Sequence, residues 1–207
     1  MRRTPIEVFS EWAEKGKDIG MENGHDASVN NMLDFATKNL KKYSFIDAGC
    51  GNGWVVRNVS NFPHCSKAIG IDGSLKMIKK AKKLDKFNDY ICEDLNNWMP
   101  KNKVDLVHSM EVFYYFKNPD RLINHVYSNW LKNNSRLIIG IDYYFENTVS
   151  HSWPDDCGVS IMKLFSENEW RGFFKKAGFK EVASWRFGQK ENWTGTLIIT
   201  GIKKLKL

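Results

Sequence analysis

Between Ser44 and Asp142, short apolar runs alternate with amphipathic stretches. That rhythm builds a parallel sheet covered by helices on both faces. Strands are predicted at residues 45–48, 68–72, 89–92, 104–107 and 136–141, each brief and mostly β-branched or aliphatic. Between them Leu75, Ile78 and Ala81 share one helical face, and Leu122, Val126 and Trp130 recur at i, i+4 and i+8. Ahead of the sheet, residues 6–15 and 27–41 read as two helices joined by a turn-rich link at 20–25. After Asp142 the alternation stops over 143–165, a run of aromatic and polar side chains too long to be an idle loop. Ser166 and Glu169 have the spacing of a capping box, and Gly178 is placed to end the helix they open. Segments 181–187 and 194–202 are too close for an intervening helix and should pair as an antiparallel hairpin. The pattern describes one α/β domain: a helical cap (1–43), a core (44–142), a lid (143–165) and a closing helix with hairpin (166–207).

A chain of 207 residues suits a single domain. Its 42% hydrophobic and 27% charged residues exclude a disordered or repeat-linker protein. With 13 Phe, 8 Trp and 7 Tyr, some rings are expected to line a cavity rather than the core. The net charge of +7 is compatible with a nucleic-acid partner. Yet Lys79, Lys80, Lys82 and Lys83 share a helix, and Lys203, Lys204 and Lys206 lie at the terminus, so solvated faces are the favoured reading. Cys50, Cys65, Cys92 and Cys157 form no CxxC pair, which argues against a zinc clamp or dithiol exchange and for a reduced, cytoplasmic setting. No apolar run is long enough to span a bilayer, and no apolar stretch follows the basic N-terminus, so neither membrane insertion nor secretion is expected.

The sharpest chemical signal is residues 45–54, a strand that runs into Gly49, Gly51 and Gly53 and then a helix. Glycines at alternate positions let the backbone approach a ligand closely. The third glycine comes one residue early for a dinucleotide fingerprint, and Trp54 stands where that pattern needs glycine. Asp47, at the mouth of the loop, would repel a pyrophosphate and attract an ammonium or sulfonium. Asp72 ends the next strand 19 residues after Gly53, where a carboxylate can accept from both hydroxyls of a ribose. Asp94 follows the third strand. Any one of these acids could be a helix cap or turn residue, but three at successive strand ends point into one crevice.

On these residues the segment 44–142 resembles the class I S-adenosylmethionine-dependent methyltransferases. Residues 47–53 are similar to that family's first motif, 69–74 with Met77 to its ribose-and-adenine motif, 92–95 to its adenine-edge motif and 104–112 to its fourth-strand motif. The resemblance implies a Rossmann-like three-layer sandwich around a seven-stranded, mostly parallel sheet with an antiparallel last strand. It implies S-adenosyl-L-methionine as cofactor. Asp47 and the backbone of Gly49, Cys50 and Gly51 would hold its amino-acid end, and Asp72 the ribose. Gly73 and Met77 would lie beside the adenine, with Asp94 and Leu95 at its edge, and the Ser109 backbone near the methionyl ammonium. His108 departs from the family pattern and reads as a structural histidine.

Methyl transfer requires donor and acceptor to be held in line and water to be excluded, with no obligatory nucleophile or metal. No catalytic residue is therefore assigned. The N-terminal helices, the stretch at 113–115 and the lid are the segments expected to cover the cofactor. Tyr114, Tyr144, His151 and Trp153, together with His25, could supply a base or a cation-attracting ring to the acceptor. Residues 108–111 lack the tetrapeptide of exocyclic-amine base methylases, and the chain has no Pro-Cys. A small acceptor methylated on oxygen or nitrogen is the favoured reading. An RNA or protein methyltransferase, and a cofactor-binding module without turnover, are the alternatives.

Overall fold

The computed structural model describes residues 2–205; Met1, Lys206 and Leu207 lie outside them. Seven strands form one sheet in the order β3-β2-β1-β4-β5-β7-β6. Strands β1 (Tyr43–Ala48), β2 (Cys65–Asp72), β3 (Asp89–Cys92), β4 (Val104–Met110) and β5 (Leu131–Ile141) are paired in parallel. The closing hairpin predicted from sequence forms as β6 (Lys180–Phe187) and β7 (Thr196–Lys203). β7 inserts between β5 and β6 and runs antiparallel to both, so it alone is reversed.

Alternation along β4 places Leu106 in one core layer and Val107 in the other. The first layer is closed by Val29, Met32 and Leu33 of α2 (Asp18–Thr37) and Val55, Val56 and Val59 of α3 (Trp54–Ser60). The second is closed by Leu122 and Ile123 of α5 (Pro119–His125) and Trp170 and Phe174 of α7 (Glu167–Ala177). Each fully buried aliphatic or Phe side chain contributes about 1.5–3 kcal/mol, so the sheet is held from both faces. Ser166 caps α7 in a capping box with Glu169, and Gly178 ends it at φ 104°. The helix expected over Leu122, Val126 and Trp130 widens into a π turn at Val126–Trp130 that leads directly into β5, with all three side chains buried.

The expected link at 20–25 is absent, and this corrects the sequence reading. α1 (Pro5–Glu14) opens on a Thr4–Glu7 capping box, and α2 runs unbroken through Gly20 and Gly24. A glycine costs a helix about 1 kcal/mol relative to alanine. Burial of Val29, Met32, Leu33 and Ala36 in the same helix outweighs that cost. Segment 143–165 holds two short helical turns, Thr148–Ser150 and α6 (Trp153–Asp156), and is strapped to the N-terminus where Arg3 bridges Val159. All four cysteines are free. No helix among the described residues is long and apolar enough to cross a membrane.

Candidate functional site

The strand order reverses between β1 and β4, and ligands of open α/β sheets bind in the crevice beyond the carboxyl ends of strands at such a switch point. A cavity of about 340 Å³ lies there. Its floor is the loop after β1, where Gly49, Gly51 and Gly53 all adopt positive φ (80°, 52° and 80°). The three glycines serve different purposes. A Cβ on Gly49 would stand 2.2 Å from a Val112 methyl carbon, and one on Gly53 would stand 2.4 Å from the Tyr90 ring, so both are small for packing. Gly51 alone faces open space, and its bare backbone forms the cradle.

Asp72 fixes that cradle, accepting from the Gly51 amide at 2.9 Å and the Ser74 amide at 2.7 Å. Each carboxylate oxygen keeps a lone pair for a ligand hydroxyl. Burial raises the Asp72 pKa, an effect opposed by the two amides and reinforced by the charge on Asp47. Asp47 is buried beside His108, whose Nδ1 is 2.7 Å from Oδ1 of the acid. The parallel register that pairs Asp47 with His108 makes this contact, so His108 is structural in a specific sense: it orients an acid of the cavity. Its Nε2 has no hydrogen-bond partner among the described residues.

All three strand-end acids, Asp47, Asp72 and Asp94, line this one cavity with Gly49, Cys50, Gly51, Gly73, Met77 and Leu95. The Asp94 carboxylate also closes its own turn, accepting from Asn96 and Asn97. Ser109 is buried behind the lining, its hydroxyl donating to the Ala48 carbonyl at 2.6 Å.

The structure places the expected acceptor contacts, His25 apart, outside this cavity. Tyr144 is buried, its hydroxyl on the Gly195 carbonyl and its ring under Arg186. His151 bonds the Phe145 carbonyl, and Trp153 stacks on Trp193. None of the three reaches the cavity, because segment 143–165 turns toward the β6–β7 end and contributes only Ile161 to the lining. Tyr114 stands one layer back, donating to Glu111, while its neighbour Tyr115 lines the cavity. The cover comes instead from the N-terminal helices through Ile6, Phe9, Met21 and His25. α2 is locked over the loop by Asn52, which donates to Asp18, and Asp18 also pairs with Lys80 of α4 (Leu75–Leu84).

Sequence reasoning missed the acidic end of the cavity. Glu111 follows β4 directly, at φ 59°, a left-handed conformation rare for a residue with a side chain. Its carboxylate accepts from the Tyr114 hydroxyl and the Asp142 amide. Burial, then the charge on Asp142, raises its pKa to about 8, with His25, Tyr114 and the Asp142 amide acting in the other direction. His25 Nε2 lies 3.5 Å from Asp142 Oδ2. Burial works against the charged imidazole, but the Asp142 hydrogen bond and the charges of Glu111 and Asp142 outweigh it and raise its pKa. Its place at the end of segment 104–112, which resembles the fourth-strand motif, was the signal that could have pointed to Glu111. Asp18, Asp47, Asp72, Glu93 and Asp94 make the lining anionic, with Glu111 beside them, and no lysine or arginine joins them among the described residues, although the chain carries +7 overall.

The arrangement fits S-adenosylmethionine: an open glycine cradle, an acid at the end of β2 whose oxygens keep free lone pairs, and a lining rich in carboxylates. Comparison with known proteins agrees. A methyltransferase-domain family profile matches residues 22–184. Malonyl-[acyl-carrier protein] O-methyltransferase 1 of Ilyobacter polytropus is 34% identical over 100 residues, 45% of this chain but only 36% of that protein, so the match spans about a third of the relative's length. A Haloferax volcanii protein solved in complex with the Trm112 methyltransferase activator superposes with a TM-score of 0.86 at 24% identity, covering 99% of this chain and 100% of that one. The N-methyltransferase NodS of Bradyrhizobium japonicum, solved with S-adenosyl-L-homocysteine, gives a TM-score of 0.64 at 16% identity over 84% of each chain. With the profile covering most of its length and the sheet order matching, this chain belongs to the methyltransferase-domain family and has the Rossmann-like fold of the class I S-adenosylmethionine-dependent methyltransferases.

Proposed function

We propose that this protein is an S-adenosylmethionine-dependent methyltransferase acting on oxygen or nitrogen of a small-molecule acceptor. The observation that carries the reading is the convergence of Asp47, Asp72 and Asp94 on one cavity whose lining, among the described residues, has no lysine or arginine. Such a lining suits a cationic nucleoside and repels the pyrophosphate of a dinucleotide. Bound there, S-adenosylmethionine would supply a methyl group activated by its sulfonium. Asp72 would hold the ribose, Met77 and Leu95 would flank the adenine, and Asp47 with the Gly49–Gly51 backbone would take the amino-acid end. The small-acceptor reading is supported by the cover that α1 and α2 place over the cavity through Ile6, Phe9 and His25. The basic row on α4 lends little support to nucleic acid, since Lys80 is paired with Asp18 and Lys79, Lys82 and Lys83 are exposed outside the cavity lining.

Isothermal titration with S-adenosylmethionine, S-adenosylhomocysteine and NAD tests the donor site: one molecule of each sulfur nucleoside should bind and NAD should not. Tritiated methyl transfer to small molecules, bulk RNA and protein then tests the acceptor class. A second reading adds an activator subunit. It is favoured by the likeness to the Haloferax protein and by Phe87, 98% exposed beside the open edge of β3. Co-elution with the Haloferax activator on gel filtration supports that reading, and separate elution removes it.

A further inference from the structure

Past the glycine cradle the cavity wall carries His25 and Glu111, the latter at the end of the fourth-strand segment, and Asp142 stands behind them, outside the lining. His25 Nε2 and one carboxylate oxygen each from Glu111 and Asp142 lie within 4.8 Å of one another. Asp142 is 95% buried, and its Oδ1 has no hydrogen-bond partner among the described residues. An orphaned buried carboxylate oxygen costs free energy unless a donor arrives to meet it. The cluster also lies beside the loop: Val112, the residue after Glu111, is the one a Cβ on Gly49 would strike.

We infer that His25, Glu111 and Asp142 form the acceptor subsite, that it binds the ammonium group of an amine, and that Glu111 removes a proton from it before methylation. The inference rests on the methyltransferase reading above and narrows its acceptor to nitrogen. The geometry suits the ligand. An ammonium group donates at about 2.8 Å, and two acceptors in tetrahedral directions then stand about 4.6 Å apart, close to the span of the cluster. Both Glu111 oxygens already accept a hydrogen bond, from Tyr114 and from the Asp142 amide, which suits a further hydrogen-bond donor better than a metal ion. A carboxylate acceptor would meet two buried acids and be repelled.

In the proposed step the ammonium proton passes from nitrogen to a Glu111 oxygen, and the pair of the broken N–H bond stays on nitrogen as a lone pair. That lone pair forms the new N–C bond to the sulfonium methyl, and the C–S pair leaves with sulfur as a neutral thioether. Nitrogen becomes a methylated ammonium, and the Glu111 proton returns to water after product release. The groups facing Glu111 are His25 from α2, Asp142 after β5, Tyr114 and Tyr115 from the turn after β4, and the more distant Cys157 of the lid. The rise of the Glu111 pKa to about 8 makes its carboxylate a competent base near neutral pH.

The test uses a panel of aliphatic and arylalkyl amines, each paired with its alcohol and carboxylate isosteres. Binding is measured by calorimetry in the presence of S-adenosylhomocysteine and turnover by tritium transfer. Amines should bind and be methylated while their isosteres do neither, with kcat/KM rising toward pH 8. Glu111→Gln should lower kcat about 100-fold and flatten that rise, and Asp142→Asn should weaken amine binding at least 10-fold. Both variants should keep S-adenosylhomocysteine affinity within threefold. Should Glu111→Gln fail to fold, the binding loss in Asp142→Asn carries the test alone. Methylation of alcohols or carboxylates with Glu111→Gln unimpaired overturns the inference but leaves the methyltransferase reading standing. So does tight zinc binding by the wild type that Asp142→Asn abolishes. A loss of S-adenosylhomocysteine affinity as large as the loss for amines would return the cluster to the donor site and overturn it as well. Donor binding without methylation of any small acceptor overturns both readings.

Discussion

Replacing Asp72 by alanine probes the donor site most directly. The carboxylate accepts from the amides of Gly51 and Ser74, so its loss leaves both donors without their acceptor. Each lost bond to a charged acceptor is worth about 1.5–3 kcal/mol, partly returned because a buried carboxylate with a raised pKa no longer has to be kept out of water. The ribose would lose two charge-assisted bonds as well. A net loss of about 3 kcal/mol in binding corresponds to a rise in Kd of roughly 150-fold. Calorimetric titration with S-adenosylhomocysteine reads this directly, and Asp72→Asn, which retains one acceptor oxygen, should fall between wild type and alanine. His151→Ala is the control: its contact is the Phe145 carbonyl, outside the cavity, and Kd should change less than twofold. Equal effects of the two alanine variants, both folded by circular dichroism, would refute the ribose assignment.

Gly49→Ala and Gly51→Ala should separate packing from binding. The first drives a Cβ to 2.2 Å from Val112 at φ 80° and should cost about 3 kcal/mol, a fall in Tm of about 6–12 °C; the second meets only the backbone cost of φ 52°, about 1 kcal/mol, yet should weaken S-adenosylhomocysteine binding at least 10-fold. An equal fall in Tm for both would contradict the cradle. His108→Ala leaves Asp47 buried without its partner and should cost about 3–5 kcal/mol in urea unfolding; a cost below 1 kcal/mol would show that the pair is not coupled. Glu111 sets a pH dependence. Its folded pKa of about 8 lies above the unfolded value, so its stabilising effect is complete below about pH 4.5 and is lost as pH rises to 8, with an upper limit of about 5 kcal/mol. The Tm of the ligand-free enzyme should fall across that window, and Glu111→Gln should flatten the fall; parallel curves would count against a buried, protonated Glu111.

Local pattern was enough to read the sheet, the glycine loop and the acids at the ends of β1, β2 and β3. A strand buried on both faces, a loop that must adopt positive φ and a carboxylate at a strand terminus are all set by residues near one another in the chain. The Ser166–Glu169 box and the Gly178 stop were legible for the same reason. What escaped depends on contacts between distant residues. Gly20 and Gly24 read as a turn because propensity is local, whereas burial of the later residues of α2 keeps the helix intact. Tyr144, His151 and Trp153 looked available because nothing nearby in sequence shows Gly195, Arg186, Phe145 and Trp193 waiting for them. His25, Glu111 and Asp142 come from three separate parts of the chain, the second at a left-handed backbone position, and only the folded chain brings them together. Composition and periodicity thus determine the scaffold and the glycine loop with its strand-end acids, while tertiary packing decides which other side chains reach the cavity, because mutual burial of groups far apart in sequence leaves no periodic trace.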